Sequence, residues 1–371
     1  MDAIIRITQR CNQRCKFCNV VKEFEDVSLD DAKIRIRKLA EDGVQFLSIS
    51  GGEPTLHKDL SEIISFASSL DSFKSITLQT NAAMLSNEVY VERLVSSGLD
   101  AVFVAFHSHL PEVSDGLTLL NGSWGKTVLG IKNALRLGLI VTLNPVINSF
   151  NYLELPSYIR FVDEELNGVN SISFSFIQPL GRVEDYPGLV SKMSDVQPYL
   201  KEAQDYCYEK KIPFFNPYCG LPLCLSNRYE VFSTEFAQSV SDSSEEEAGK
   251  RRVEDMKTKG DSCEGCLLFG KCNGVWKSYG DIHGFGELRP MVSERVVGLL
   301  AREELRRKEA EGNEERLQML GREDVVLKSV VYAEALTMRP FFVKRGFSFD
   351  VGNSSGVQLD DCVDVVIKKL S

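Results

Sequence analysis

The sequence predicts an α/β fold: a partial (β/α)6 barrel, then a small cysteine-rich domain, then a tail of helical and mixed character. Three observations lead there. Short apolar-alternating runs and helix-periodic stretches take turns six times between residues 3 and 215. Each predicted strand ends in glycine or in polar residues. The cysteines gather in two groups, one close to the N-terminus and one between residues 219 and 272. Strands alternating with helices favour a parallel sheet, because each right-handed crossover lays its helix on the outer face. The expected division is a barrel over 1–215, a cysteine-rich domain over 216–290 and a helical and mixed extension over 291–371.

In chain order, Ile4 to Ile7 reads as the first strand. A loop of roughly 20 residues follows, long for a compact domain unless it carries function. Ser28, with Asp31 three positions on, announces a helix that stops at Gly43. Val44 to Ile49 is the second strand, followed by Gly51-Gly52-Glu53-Pro54 and an amphipathic helix from Asp59 to about Leu70. Ser75 to Gln79 is the third strand, ending in Thr80-Asn81, and Glu88 to Ser97 is helical. The fourth strand, Ala101 to Phe106, runs into His107-Ser108. Lys126 to Leu137 is helix, Leu139 to Leu143 strand before Asn144-Pro145, Tyr152 to Leu166 helix, and Ser171 to Ile177 the sixth strand before Gln178. A helical stretch from Asp195 to about Lys211 completes the alternation. In such TIM-like barrels ligands sit at the C-terminal ends of the strands, so one face is expected to collect all these strand-end residues.

Composition narrows the class. The chain has 371 residues, 43% of them hydrophobic and 26% charged, ordinary values for a soluble globular protein with a sizeable core. No uncharged apolar run of roughly 18 residues or secretion signal is evident, so a cytoplasmic protein without membrane spans is expected. A net charge of −10 argues against broad binding to nucleic acid, which needs an excess of Lys and Arg. Ten cysteines at spacings this tight read as metal ligands in a reducing compartment rather than as disulfides.

Cys11-x3-Cys15-x2-Cys18 places three thiols within eight residues. Soft thiolates suit iron–sulfur clusters or zinc, and three ligands leave a coordination position for a substrate or cofactor. Glycines at 51 and 52 allow close approach of the backbone to a ligand, and Glu53 offers a carboxylate for an ammonium group.

The cysteine spacing with Phe17 before the last thiol, together with Gly51-Gly52-Glu53-Pro54 after strand two, resembles the radical S-adenosylmethionine (radical SAM) superfamily over roughly residues 3 to 215. The resemblance implies a [4Fe-4S] cluster on Cys11, Cys15 and Cys18, with the fourth iron chelated by SAM. Reduction of that cluster would cleave SAM and release a 5′-deoxyadenosyl radical that abstracts hydrogen from a substrate. It also implies cofactor-binding roles for Phe17 beside adenine, for Gly51, Gly52 and Glu53, and for Thr80 and Asn81. Where the family often has a serine after strand four this chain has Ala105, so His107 or Ser108 is carried as its substitute, and Asn144 and Gln178 complete the candidate set. Capping of strand ends is the competing reading for Thr80, Asn81, Asn144 and Gln178, and a hydrogen-bonded wall position for His107.

The second group, Cys219-x4-Cys224 and Cys263-x2-Cys266-x5-Cys272, flanks a polar stretch from Ser239 to Gly260. With Asn273-Gly274-Val275-Trp276 and Tyr279-Gly280 it resembles the SPASM and Twitch auxiliary-cluster domains of radical SAM enzymes. Trp276 stands where the fuller motif has another cysteine, which implies one auxiliary [4Fe-4S] cluster, on Cys224, Cys263, Cys266 and Cys272. A structural zinc site is the alternative there. Cys219 is left as an exchanging ligand, a substrate-facing thiol or a bystander, while Cys207 and Cys362 read as core residues. Val292 to Leu320 reads as charged helix, Val325 to Leu336 as helix, and Phe341 to Phe349 and Val363 to Ile367 as strands.

The expected function is a radical SAM oxidoreductase acting on a ribosomally made peptide, by crosslinking or oxidation, with an electron donor such as flavodoxin or ferredoxin. Peptide recognition would fall to the C-terminal tail, since no leader-binding segment precedes strand one. A small-molecule metabolite or cofactor precursor is the alternative substrate. The rival from another class is a zinc-stapled, non-catalytic binding protein.

Overall fold

A computed structural model describes residues 2–20, 26–237, 256–293, 296–297, 299–300, 325–331, 347–351 and 362–369. Its centre is a seven-stranded parallel sheet in the order β1 (Asp2–Thr8), β2 (Phe46–Gly51), β3 (Ser75–Thr80), β4 (Ala101–Val104), β5 (Ile140–Leu143), β7 (Ser171–Ser173) and β9 (Phe214–Phe215). Neighbours in space follow the order of the chain. The helices α1 (Leu29–Glu41), α2 (Leu60–Ser69), α3 (Glu88–Ser96), α4 (Pro111–Thr118), α5 (Ser123–Arg136), α6 (Leu155–Glu165) and α7 (Met193–Lys210) supply the crossovers. The fold is the expected α/β partial barrel.

Local chemistry sets the elements. Ser28 caps α1, its hydroxyl accepting from the Asp31 backbone N–H and donating to the Asp31 carboxylate at 2.7 Å. Asn87 caps α3 as an acceptor alone, its Oδ1 accepting from Tyr90 N at 3.2 Å, and Gly43, Gly98 and Gly138 carry the positive φ needed to leave a helix and enter a strand. Alternate strand residues such as Leu47, Ile49, Ile76, Leu78, Val102, Val104, Val141 and Leu143 are buried in one continuous core with Ile36, Ile63, Leu94, Ile131 and Ile159 from the helices. The intervening strand residues face the opposite, inner side and remain partly open.

Several expectations are corrected. The sixth strand is broken: β7 stops at Ser173, and β8 (Ser175–Phe176) pairs instead with β6 (Val146–Ile147). β9 is a seventh strand, too short at two residues to show a period. α4 is added after His107-Ser108, entered through Pro111 at its first turn. Val325 to Leu336, expected as helix, begins as the strand β12 (Val325–Val331), antiparallel to β14 (Cys362–Lys369), which also pairs with β13 (Phe347–Val351). Four valines in seven residues favour the extended state and outweigh the helical spacing. Residues 332–336 and 341–346, residues 239–255 of the polar stretch, and residues 294–295, 298 and 301–320 of the charged helix expected over Val292 to Leu320 lie outside the described residues. Among the described residues no helix is long and apolar enough to cross a membrane.

Candidate active site

The loop after β1 lies across the C-terminal ends of the strands. Backbone hydrogen bonds from Arg14 N to Thr118 O (3.0 Å) and from Lys16 N to Leu117 O (2.9 Å) fasten it to the end of α4. On its other side Arg182 N donates to Cys18 O at 3.0 Å, the Arg182 guanidinium donates to Arg14 O, and Asn19 Nδ2 donates to Gln178 Oε1 at 2.7 Å. Cys11 is exposed, while Cys15 and Cys18 are half-buried. Burial, then the charges of Cys11 and Cys18, push the Cys15 thiol up to about 12, so the three sulfurs share one neighbourhood. Phe17 stands edge-on to His107, ring centroids 4.7 Å apart.

The turn after β2 is bound to the same loop. Gly52 N donates to Thr8 O at 2.8 Å and Glu53 N to Arg10 O at 2.7 Å. A Cβ on Gly51 would stand 2.1 Å from Thr8 O, and one on Gly52 2.4 Å from Arg10 O. The glycines therefore admit the chain's own first strand and cysteine loop, a closer approach than the ligand contact expected of them.

Glu53 also differs from expectation. Its side chain is wholly buried and points into the protein. Oε1 accepts from Thr55 N (3.1 Å), Thr55 Oγ1 (2.6 Å) and Thr80 Oγ1 (2.7 Å), and Oε2 accepts from Asn81 N (2.8 Å). Burial pushes the carboxyl group's pKa up and these bonds pull it back. Rather than presenting a free carboxylate, Glu53 ties the end of β2 to the end of β3. Asn81 extends the tie, its Nδ2 donating to Asn12 Oδ1 at 2.7 Å beside Cys11.

The remaining candidates separate. Ser108 is buried, its hydroxyl accepting from Leu110 N at 3.0 Å, and so acts as a turn cap. Asn144 is half-open on the inner face and accepts from Ser175 Oγ at 2.6 Å. His107 is buried, with Nδ1 accepting from Val146 N at 3.3 Å, the wall position of the competing reading. Sequence reasoning missed Arg182 and Asn12, which lie in turn and loop segments without periodic signal, and Ser175, which reads simply as one more residue of the sixth strand.

Burial holds the His107 imidazole down at about 4, against about 6.5 in an unfolded chain. Between those values the unfolded chain binds the extra proton. The histidine's contribution is therefore complete above about pH 6.5 and is lost as pH falls toward about 4. Glu53, with its raised pKa, acts with the opposite sign, so comparison with His107→Asn isolates the histidine. Unfolding midpoints measured from pH 7 down to 4 are expected to fall less in that variant, by up to about 3 kcal/mol. Parallel curves for the two proteins would remove His107 from the acid response.

Elsewhere, Cys224, Cys263, Cys266 and Cys272 line one cavity together with Leu223, Lys259, Leu268, Phe269 and Arg289. Gly274 N and Met291 N donate to Cys272 and Cys266 Sγ at 3.4 and 3.3 Å, and burial pushes the Cys272 thiol up to about 12. The strand pair β10 (Lys257–Thr258) and β11 (Val275–Trp276) closes the base of this region. Beneath it lies a buried ion pair in which Lys257 Nζ donates to Glu235 Oε1 and to Tyr218 O. Cys219 does not line the cavity; its thiol donates to Ser175 Oγ at 3.3 Å. Cys207 is fully buried, as a core residue should be. Both thiol groups fit an iron–sulfur donor set: sulfur only, partly buried, and served by backbone N–H groups.

Residues 5–162 match the sequence profile of the Radical SAM superfamily. The chain carries a radical SAM domain. Its cysteine loop and Gly51–Glu53 turn both fall in the matched span. The radical SAM domain is also similar in sequence to proteins named probable GTP 3′,8-cyclase. Identity is 31% over 185 residues with that of Saccharolobus islandicus (48% of this chain, 58% of that protein) and 31% over 186 residues with that of Methanopyrus kandleri (49% and 58%). The matches thus span less than two thirds of those relatives. Streptococcus suis SuiB, solved with S-adenosylmethionine bound, has a similar fold. Its TM-score is 0.55 at 18% identity, over 78% of this chain and 76% of SuiB.

Proposed function

We propose that this protein is a radical SAM enzyme that uses a second, auxiliary cluster. The observation carrying the proposal is the meeting of the Cys11, Cys15 and Cys18 loop with the Gly51–Glu53 turn at the C-terminal ends of β1 and β2, through Gly52 N–Thr8 O and Glu53 N–Arg10 O. A [4Fe-4S] cluster with SAM bound there would supply reductive, one-electron cleavage of SAM and through it hydrogen-atom abstraction from the substrate, the electron coming from an external donor of the flavodoxin or ferredoxin type. Cys11, Cys15 and Cys18 would hold the cluster, and Phe17 and His107 would form the apolar wall beside it. Arg182 and Asn19 would clamp the loop from the far side.

Cys224, Cys263, Cys266 and Cys272 would hold the auxiliary cluster in a SPASM- or Twitch-like region over about residues 216–290. Their placement around a shared cavity supports a cluster with a body of its own. A structural zinc ion on the same four thiolates is the alternative, and iron, sulfide and zinc analysis of the purified protein separates the two.

For the substrate, a ribosomally made peptide is the first reading, with the auxiliary cluster binding substrate or accepting an electron. A small-molecule precursor is the second, favoured by the sequence relatives named as GTP cyclases. A short adjacent peptide gene would favour the first reading, and a metabolite gene cluster without one the second. An electron donor of the flavodoxin or ferredoxin type and a reducing cytoplasm complete the proposal.

The test is anaerobic purification with iron and sulfide counting, then dithionite and SAM with assay for 5′-deoxyadenosine. Two four-iron clusters predict about eight irons per chain and formation of that nucleoside. Colourless, zinc-containing protein, or a reconstituted cluster that leaves SAM intact, would sink the reading.

A further inference from the structure

We infer that the inner face of the sheet forms a recognition ring for an anionic substrate group, a carboxylate or a phosphate, centred on Arg6. The inference rests on the enzyme reading above for its location and on the sheet for its chemistry. Register places one residue from each of six strands at a single level. Arg6 is aligned with Ser50, Gln79 with Phe103, Phe103 with Thr142, and Thr142 with Ser171. The Ser50 hydroxyl donates to Gln79 Oε1 at 2.9 Å and joins the two halves. Closed barrels fill such levels with bulky branched side chains. Here four of the six are small or amide-bearing polar groups, one is cationic, and all are half-open or exposed.

Donors dominate the ring. Arg6 offers up to five N–H groups, and with Oε1 of Gln79 occupied by Ser50, its amide contributes two more. Thr142 and Ser171 are hydrogen-bonded to each other at 2.8 Å. The nearby Asp26 carboxylate is taken by Arg10 and Thr8, and among the described residues Arg6 has no acidic partner. An independent sign of a ligand lies one level nearer the cysteine loop. Ser173, two residues beyond Ser171 on the same strand face, has a buried hydroxyl with no hydrogen-bond partner among the described residues. A buried hydroxyl left unpaired is costly unless something binds it. A solvated Arg at a sheet edge would account for Arg6 alone, but not for a level of donors under an orphaned hydroxyl.

The test is calorimetric titration of the full-length, cluster-reconstituted protein, with SAM present, using inorganic pyrophosphate in one arm and succinate in the other. At least one anion is expected to bind, the arm that responds identifying phosphate or carboxylate as the source. Arg6→Gln should weaken it about tenfold or more, the scale of a lost charged hydrogen bond, while Arg6→Lys retains most of the affinity. Ser50→Ala, which frees the Gln79 amide to rotate, should weaken it by about threefold. Failure of both anions to bind, or equal binding by wild type and Arg6→Gln, overturns the inference. Wild-type protein that binds an anion through Arg6 yet never cleaves SAM would overturn the enzyme reading and leave the ring standing.

Discussion

Replacing Cys11, Cys15 and Cys18 together with alanine is expected to abolish SAM cleavage while the protein keeps about four of its roughly eight irons. The expectation follows from the separation of the two thiol groups. The first three cysteines lie on one loop after β1, fastened by main-chain bonds to Thr118 and Leu117 that do not depend on sulfur. The other four line a cavity built from Leu223–Leu225, Asp261–Gly265 and the segment leading to β11, with no residue in common. Iron counting on the anaerobically reconstituted variant, with a circular dichroism check of folding, reads the result. Complete loss of iron would show that the second cavity holds no cluster, and retained cleavage would remove the loop from the chemistry.

The next largest effect concerns Glu53. Glu53→Ala is expected to destabilise the cluster-free protein by about 3–5 kcal/mol, since it strips four buried donors of their acceptor. Glu53→Gln keeps the shape but turns one oxygen into a donor that must face another N–H or O–H, and should cost about 1–3 kcal/mol. Denaturant midpoints measured without cluster or SAM decide the matter. If the carboxylate served a ligand ammonium instead of bracing β2 against β3, Glu53→Gln would unfold like wild type and show its defect only in SAM binding.

The correction at Glu53 illustrates which parts of the site were readable in sequence. Gly51-Gly52-Glu53-Pro54 announces a special turn, but the reason for each residue lies in what crosses it. The glycines are crowded by Thr8 and Arg10 from a segment more than 40 residues away, and the carboxylate is claimed by Thr80 and Asn81 from another strand. Those approaches depend on strand register, which a one-dimensional pattern does not carry. The cysteine spacing was readable because its ligands are neighbours in sequence. The partition of Cys219 from Cys224 was not, since a turn at Leu223–Leu225 sends one thiol to the cavity and leaves the other on Ser175.

The sequence by itself determined the βα alternation, the helix start at Ser28, the helix from Glu88, the three-cysteine loop and the glycine-rich turn, because caps and periodicities act within a few residues. Tertiary structure alone decided that Glu53 faces inward, that β9 extends the sheet and that the tail begins as strand at Val325. It also decided that Arg6, Ser50 and Gln79 stand at one level of the inner face, because that level exists only once parallel strands are paired in register.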